Sequence, residues 1–369
     1  MKTFKFLAIS DIHLGHRKTP SSYITSNLMK VINRDLLLEL DMVIIAGDLF
    51  DHGIGYSDDD AVTIQHWLVN FLSLCGACNV AIRVLEGTPL HDRKQARHLK
   101  VIGQSSAFNV DLIYVDRVWV ERNKEFSLDI LYVPDEWHPD PDQTWIDVKE
   151  ELSHNSINKV DLSVMHGFFE HQVPPMVSIK PHSNSRYEGI TRRYVIVGHD
   201  HTPAFRGKII APGSFDRLAH KNSGKKGCWK VELSSSGRDD KVIFIENESA
   251  KEYITIDCSG LSFDAAIEKI VATKALIGAH IKLKSYKTDS SLALLEWAKK
   301  NYFNYNWTLE LINKDATTKT GIYKPDPTEL LSLNKNSLPS LLRDKLKVLN
   351  VDGTILTRSD ELIKELIEC

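Results

Sequence analysis

Seven short apolar runs recur through the first 200 residues of this 369-residue chain, at 4–9, 42–46, 80–85, 112–115, 128–133, 160–165 and 194–197. Each has the length and β-branched content of a buried strand. Between several of them the apolar residues fall at helical spacing. Leu28, Val31, Ile32, Leu36 and Leu40 form one such stretch. Val62, Trp67, Leu68, Phe71 and Leu72 form another, behind Asp58-Asp59-Asp60, whose charges suit a helix N-terminus. Strands and helices in alternation predict an α/β core, built as a layered α/β/β/α sandwich with helices covering the sheet faces.

Five of these runs end in a carboxylate or an imidazole. The motifs are Asp11-Ile12-His13, Gly47-Asp48-Leu49-Phe50-Asp51, Gly87-Thr88-Pro89-Leu90-His91-Asp92, His166-Gly167 and Gly198-His199-Asp200-His201. In open α/β sheets the carboxyl ends of strands are where sites form. Asp11 with His13, and His199 with His201, are two residues apart, a spacing that on an extended strand puts both side chains on one face. Carboxylate with imidazole suits manganese, iron or zinc better than calcium. Asp48 follows a wholly apolar run, so burial of its charge demands compensation, and bridging two cations provides it. The set suffices for two divalent metals sharing one carboxylate, a device for in-line hydrolysis of phosphate esters. His91 need not bind metal. Beside such a pair it can stabilise the transition state or protonate the leaving oxygen, with Asp92 orienting it.

Bulk composition narrows the class. With 42% apolar and 26% charged residues the chain is that of a globular protein. A net charge of −3 excludes a globally basic nucleic-acid binder but leaves room for a local basic groove. The five cysteines, at 75, 78, 228, 258 and 369, are scattered and odd in number, as in a reducing compartment. Cys75 and Cys78 sit among helically spaced apolar residues and read as a core pair rather than a metal knuckle. No signal peptide and no membrane-spanning run is visible, so a cytoplasmic protein is expected.

Beyond residue 209 the texture becomes β-rich, with strands at 230–233 and 242–246 split by Ser234-Ser235-Ser236-Gly237. Residues 251–313 read as a β-α-β-α-β unit: strand 253–258, helix 262–273, strand 280–283, helix 290–300, strand 307–312. Pro325 and Pro327 mark a linker, and the leucine-rich tail 328–369 reads as two amphipathic helices offering a surface to a partner. The expected domains are therefore 1–248, 249–324 and 325–369.

The five motifs resemble those of the calcineurin-like metallophosphoesterase superfamily, D-x-H, G-D-x-x-D, G-N-H-[DE], G-H and G-H-x-H. Within it the chain is most similar to the nuclease subunit of SbcCD-type double-strand-break repair complexes. The wording of Gly47–Asp51, the segment Ala211-Pro212-Gly213-Ser214-Phe215-Asp216-Arg217, the small capping unit and the leucine-rich tail carry that narrower likeness. The resemblance implies one metal on Asp11, His13, Asp48 and His201, and a second on Asp48, His166 and His199. Asp51 would support the ligands from behind. It also implies manganese as the metal, with magnesium as the substitute. The activity implied is exonucleolytic and endonucleolytic cleavage of DNA at or near ends. An SbcC-type ABC ATPase would dock on 328–369, and the nuclease would form a homodimer. The third motif departs from the pattern. It is two residues longer, and Leu90 stands where an asparagine should ligate the second metal, which leaves Thr88 or a water to fill that position.

DNA contacts must be local. Arg17-Lys18, Arg93-Lys94 with Arg97, Arg192-Arg193, and Lys221 with Lys225-Lys226 are the basic groups expected near the metal loops. Trp137 could stack on an unpaired base. Two other readings stay open, a phosphomonoesterase or cyclic-nucleotide phosphodiesterase on the same core, and a non-catalytic scaffold that binds DNA ends.

Overall fold

The structure, a computed structural model, describes residues 3–103, 108–135, 140–173, 180–220, 222 and 224–312. The first half of the chain runs β1 (Phe4–Ile9), α1 (Ser21–Val31), α2 (Arg34–Leu37), β2 (Met42–Ala46), α3 (Ala61–Ala77), β3 (Ala81–Leu85), α4 (Arg97–Gly103), β4 (Leu112–Val115), β5 (Trp119–Asn123) and β6 (Leu128–Val133). It continues with α5 (Pro141–His154), β7 (Val160–His166), α6 (Asn184–Ile190), β8 (Thr191–Gly198), β9 (Ala204–Arg206), β10 (Ile209–Ala211), β11 (Gly227–Leu233) and β12 (Lys241–Glu246). The last described stretch is β13 (Tyr253–Asp257), α7 (Phe263–Ala272), β14 (His280–Tyr286), α8 (Asp289–Asn301) and β15 (Asn306–Ile312). The two accessory helices and three accessory strands thus fall where their apolar periodicity places them.

Two mixed six-stranded sheets form the core, in the orders β12-β11-β1-β2-β3-β4 and β5-β6-β7-β8-β10-β9. Period-2 alternation explains how they stack. Phe4, Phe6 and Ala8 of β1, with Met42, Ile44 and Ala46 of β2, meet Ile130, Tyr132, Leu162, Val164 and Ile196 of the second sheet in one apolar layer. The intervening Leu7, Ile9, Val43 and Ile45 face α1 and α3 through Ile24, Leu28, Trp67 and Phe71. Leu131, Val133, Met165, Val195 and Val197 face Val148, Leu152 and Tyr187 of α5 and α6. The α/β sandwich expected from the sequence is the fold observed. A third sheet, ordered β13-β14-β15, has a core of its own around Ile256, Ile270, Ile281, Leu283 and Leu294.

Polar residues cut the helices to length. The stretch around Leu28–Leu40, which the apolar spacing joins into one helical segment, is broken at Asn33. That residue takes an extended backbone, and its side chain accepts the Leu36 N–H as the cap of α2. Asp140 caps α5 with Pro141 in the first turn, and Ser262 caps α7. Cys75 is buried in the α3 core, and Cys75 and Cys78 are both free thiols. No described helix is long and apolar enough to cross a membrane. The tail at 328–369 lies outside the described residues.

Candidate metal centre

Parallel pairing brings the carboxyl ends of β1, β2 and β3 to one edge of the first sheet, and those of β6, β7 and β8 to one edge of the second. The two edges touch. His166 at the end of β7 donates its Nδ1 proton to the Ala46 carbonyl of β2 at 2.7 Å. A carbonyl only accepts, so the bond fixes the tautomer and leaves the Nε2 lone pair facing inward. The loops after β1 and β2 are laced together by Asp11 N–H to Gly47 O and His13 N–H to Asp48 O, both 3.1 Å.

Asp11 and His13 do not reach the site by strand alternation. β1 ends at Ile9, and Asp11 and His13 both have left-handed backbone, with φ 49° and 53°. Asp48 and His199 do too, at 50° and 95°. Non-glycine residues seldom adopt this region, and it concentrates at functional sites because packing must enforce it. The chain curls at each strand end, and the donors turn inward from the curl.

Among the described residues the donors form three groups, Asp11 with His13 and His201, Asp48 with His166 and His199, and His13 with Asp51 and His91, of which the first two are joined through Asp48. In the first, His13 Nε2 lies 3.1 Å from His201 Nε2, and His201 Nε2 lies 3.7 Å from Asp11 Oδ1. In the second, His166 Nε2 is 3.3 Å from Asp48 Oδ1 and 3.3 Å from His199 Nδ1. Asp48 joins the groups, because its other oxygen stands 3.7 Å from His13 Nε2. Facing ring nitrogens at this spacing, with carboxylates beside them, are a donor set that a cation would satisfy. The residues therefore fit metal binding.

Electrostatics follows the same division. Burial acts to raise the Asp48 carboxyl, but His166, His13 and the Thr88 N–H outweigh it and hold it well below the usual carboxylate range. Burial lowers His13 and His166, and the carboxylates around each more than reverse this, so both are raised. Burial pushes His201 down to about 4 and lowers His199 as well.

His91 stands beside the first group, its ring edge-on to His13 with centroids 4.8 Å apart. Its Nδ1 donates to the Asp51 carbonyl at 2.6 Å, which leaves Nε2 available. Asp92 does not orient it. That carboxylate is fully buried and accepts the N–H of Phe50 at 2.9 Å and of Gly87 at 2.7 Å, pinning the loops after β2 and β3. Burial, with Asp48 nearby, pushes its pKa up to about 7. Asp51, expected to support the ligands from behind, has Oδ1 3.2 Å from His13 Nδ1 without forming a hydrogen bond to it.

Thr88 lies in the second group. Its N–H donates to Asp48 Oδ1 at 2.7 Å, and its hydroxyl stands 3.4 Å from His166 Nε2 and 3.3 Å from His199 Nδ1. Asp135 is present as well, 3.7 Å from His199 Nδ1, and motif reading missed it. The signal was in the chain: Pro134-Asp135 follows the run 128–133 just as Asp48 follows its own.

The basic residues separate. Arg17 and Lys18 are exposed in the loop after His13, and Arg93 and Lys94 are exposed next to His91. Arg97 pairs with Asp116 and lines an open cleft with Lys100, Arg117 and Trp119. Arg192 and Arg193 begin β8, whereas His199 follows its other end, about 20 Å away at about 3.3 Å per residue. They pair there with Asp161 and Asp240, so they do not converge on the edge that carries the donor groups. Lys226 is buried and donates to the His201 carbonyl at 2.6 Å and to Ser214 at 3.0 Å, and Lys225 pairs with Glu246. Trp137 and Lys221 lie outside the described residues.

No family model matches the chain, and no curated protein matches it. Among solved structures it is similar to GAP50, the anchor in the inner membrane complex of Plasmodium, at 14% identity and a TM-score of 0.41, over 68% of this chain and 87% of that one. It is also similar to TT1561 of Thermus thermophilus, at 11% identity and a TM-score of 0.37, over 66% of this chain and 99% of that one.

Proposed function

We propose that this protein is a two-metal phosphodiesterase that cleaves DNA. The observation carrying the reading is the pair of donor groups joined through Asp48, with His91 held at their margin by the Asp51 carbonyl. Divalent ions bound there, manganese or magnesium, would neutralise charge on a phosphodiester and activate water. The rest falls to side chains. Asp48 presents one oxygen to each group. His166 is locked by Ala46 O with its lone pair inward. His91, once protonated, carries a proton on Nε2 for the leaving oxygen while Nδ1 stays bonded. Arg17, Lys18, Arg93 and Lys94 are exposed on the loops that carry His13 and His91, where they would neutralise flanking phosphates.

DNA as the substrate rests on the motif order, the capping unit and the leucine-rich tail. By the same resemblance the complex would be one of recombination or repair, with an SbcC-type ATPase bound to 328–369. One assay tests the reading. Linear duplex DNA, single-stranded DNA and p-nitrophenyl phosphate esters are incubated with the protein and manganese, with His91→Ala as control. DNA degradation that the variant loses supports the nuclease. Ester turnover without DNA cleavage favours a phosphomonoesterase or small-molecule phosphodiesterase, and DNA binding without any turnover favours a scaffold.

A further inference from the structure

We infer that Asp135 is a ligand of the second metal site, and that Thr88 and Asp135 together fill the position left without an asparagine. The inference rests on the two-metal reading above and concerns how this chain alone builds the Asp48–His166–His199 group.

The Thr88 hydroxyl oxygen is the centre of the local geometry. It stands 3.1 Å from Asp135 Oδ2, 3.3 Å from Asp48 Oδ2, 3.3 Å from His199 Nδ1 and 3.4 Å from His166 Nε2. The same four side chains follow one another in an open arc, Asp48 Oδ1 to His166 Nε2 at 3.3 Å, His166 Nε2 to His199 Nδ1 at 3.3 Å and His199 Nδ1 to Asp135 Oδ2 at 3.7 Å, so Asp48 meets the hydroxyl with one oxygen and His166 with the other. In a six-coordinate shell with bonds of about 2.1 Å, neighbouring ligands are about 3 Å apart. The hydroxyl at 3.1–3.4 Å from all four side chains, and the side chains at 3.3–3.7 Å from one another along the arc, are close to that spacing, so the five groups could share one ion. A hydroxyl donates one proton and accepts at two lone pairs, so its three hydrogen bonds leave one of the four neighbours unaccounted for.

Local sequence explains how Asp135 arrives there. Pro134 ends β6, which pairs in parallel with β7, Val133 opposite Met165. Asp135 therefore falls beside Gly167, just past His166. A Cβ at Gly167 would lie 3.3 Å from Asp135 Oδ1, so the bare glycine leaves the carboxylate its room. Threonine at 88 is shorter than asparagine, and the carboxylate supplies the reach that it lacks. The exchange also changes the charge. A neutral amide is replaced by a hydroxyl and an anion, so the second site holds two carboxylates, a harder donor set that favours manganese or magnesium.

The test is manganese titration of the full chain by calorimetry, with electron paramagnetic resonance to register coupling between two ions. The wild-type protein is expected to bind two ions that couple magnetically. Asp135→Ala should keep one ion at unchanged affinity, weaken the other about tenfold or more, and lose the coupled signal. Asp135→Asn, which preserves shape, should retain the fold by circular dichroism and weaken the second ion less. A positioning role through Thr88 predicts that Thr88→Ala and Thr88→Ala/Asp135→Ala bind alike, whereas direct ligation makes the double variant weaker. Two coupled ions in Asp135→Ala with both affinities unchanged would overturn the inference and leave the two-metal reading standing. So would a double variant no weaker than Thr88→Ala. Failure of the wild-type protein to bind a second ion would overturn both.

Discussion

The Asp51 carbonyl accepts the Nδ1 proton of His91 at 2.6 Å, while the Asp51 carboxylate stands 3.2 Å from Nδ1 of His13. One residue thus serves two imidazoles, by backbone and by side chain, and substitution can separate the tasks. If His91 carries the proton as proposed and does not ligate, His91→Gln should lower kcat about 10²- to 10⁴-fold with manganese affinity unchanged. Asp51→Asn leaves the carbonyl in place and alters the neighbour of His13 and of His52, whose Nδ1 lies 3.5 Å from the other carboxylate oxygen. It should weaken the first ion about 10- to 100-fold with a smaller effect on kcat at saturating metal. Calorimetry beside steady-state kinetics reads both, and a loss of metal affinity in His91→Gln would show that His91 ligates.

Metal binding should compete with protons. His13 and His166 are raised by the carboxylates around them, so in the metal-free protein they keep protons to higher pH than free imidazoles do, on nitrogens that an ion must take. The sign follows directly: the proton-bound form gains as pH falls, so apparent metal affinity drops with falling pH and each ion bound releases protons. Calorimetry in two buffers of different ionisation enthalpy counts them. Affinity independent of pH, with no proton release, would contradict the assignment of His13 and His166 as ligands.

Strand placement was largely legible because the buried strands are nearly pure apolar runs with clear ends. β5 escaped notice, since Trp119–Asn123 includes Glu121 and Arg122, and a charged pair reads as surface when its buried partner lies 38 residues away. The metal donors were legible as chemistry ending each run. Their geometry was not, because left-handed residues at 11, 13, 48 and 199 replace the strand alternation that period 2 suggests. The distant pairing of Arg193 with Asp240 was equally hidden, since solvation of a basic pair and its burial against a remote carboxylate look the same in one dimension.

Gly47 offers a sharp steric test. Its φ is +85°, and a Cβ there would lie 2.1 Å from His166 Nδ1 and 2.9 Å from the Gly87 backbone. Gly47→Ala must displace His166 from the Ala46 carbonyl, strain the backbone and open the second donor group. The expected result is a destabilisation of about 1–3 kcal/mol in the metal-free protein, with loss of the second ion and retention of the first. Manganese stoichiometry with denaturant unfolding checks it. An alanine variant that binds two ions at native stability would mean that the loops after β2 and β7 are looser than their contacts imply.

Arg83, on β3 of the first sheet, reaches across the inter-sheet layer to Glu121 on β5 of the second, with Nη2 to Oε1 at 2.6 Å and Nε to Oε2 at 2.8 Å. Tyr132 on β6 donates its hydroxyl to the same carboxylate at 2.8 Å. All three side chains are buried, so removing one leaves a charge or a donor without water or partner. Glu121→Leu strands both the guanidinium and the phenol, although Asp111 still meets Arg83 at 2.9 Å, and should cost about 3–5 kcal/mol. Arg83→Met/Glu121→Leu/Tyr132→Phe removes the three buried polar members at once, leaves only the exposed Asp111 side chain, and should return to within about 1–2 kcal/mol of wild type, because desolvation of a buried pair offsets most of its attraction. Urea unfolding of the single and triple variants reads the difference. The cluster ties the sheet that carries Asp48 to the sheet that carries His166 and His199. If the triple variant regains stability yet binds the second ion more weakly, the ion cluster sets how the two sheets register at the metal centre. If stability and binding both return, apolar packing between the sheets suffices to align them.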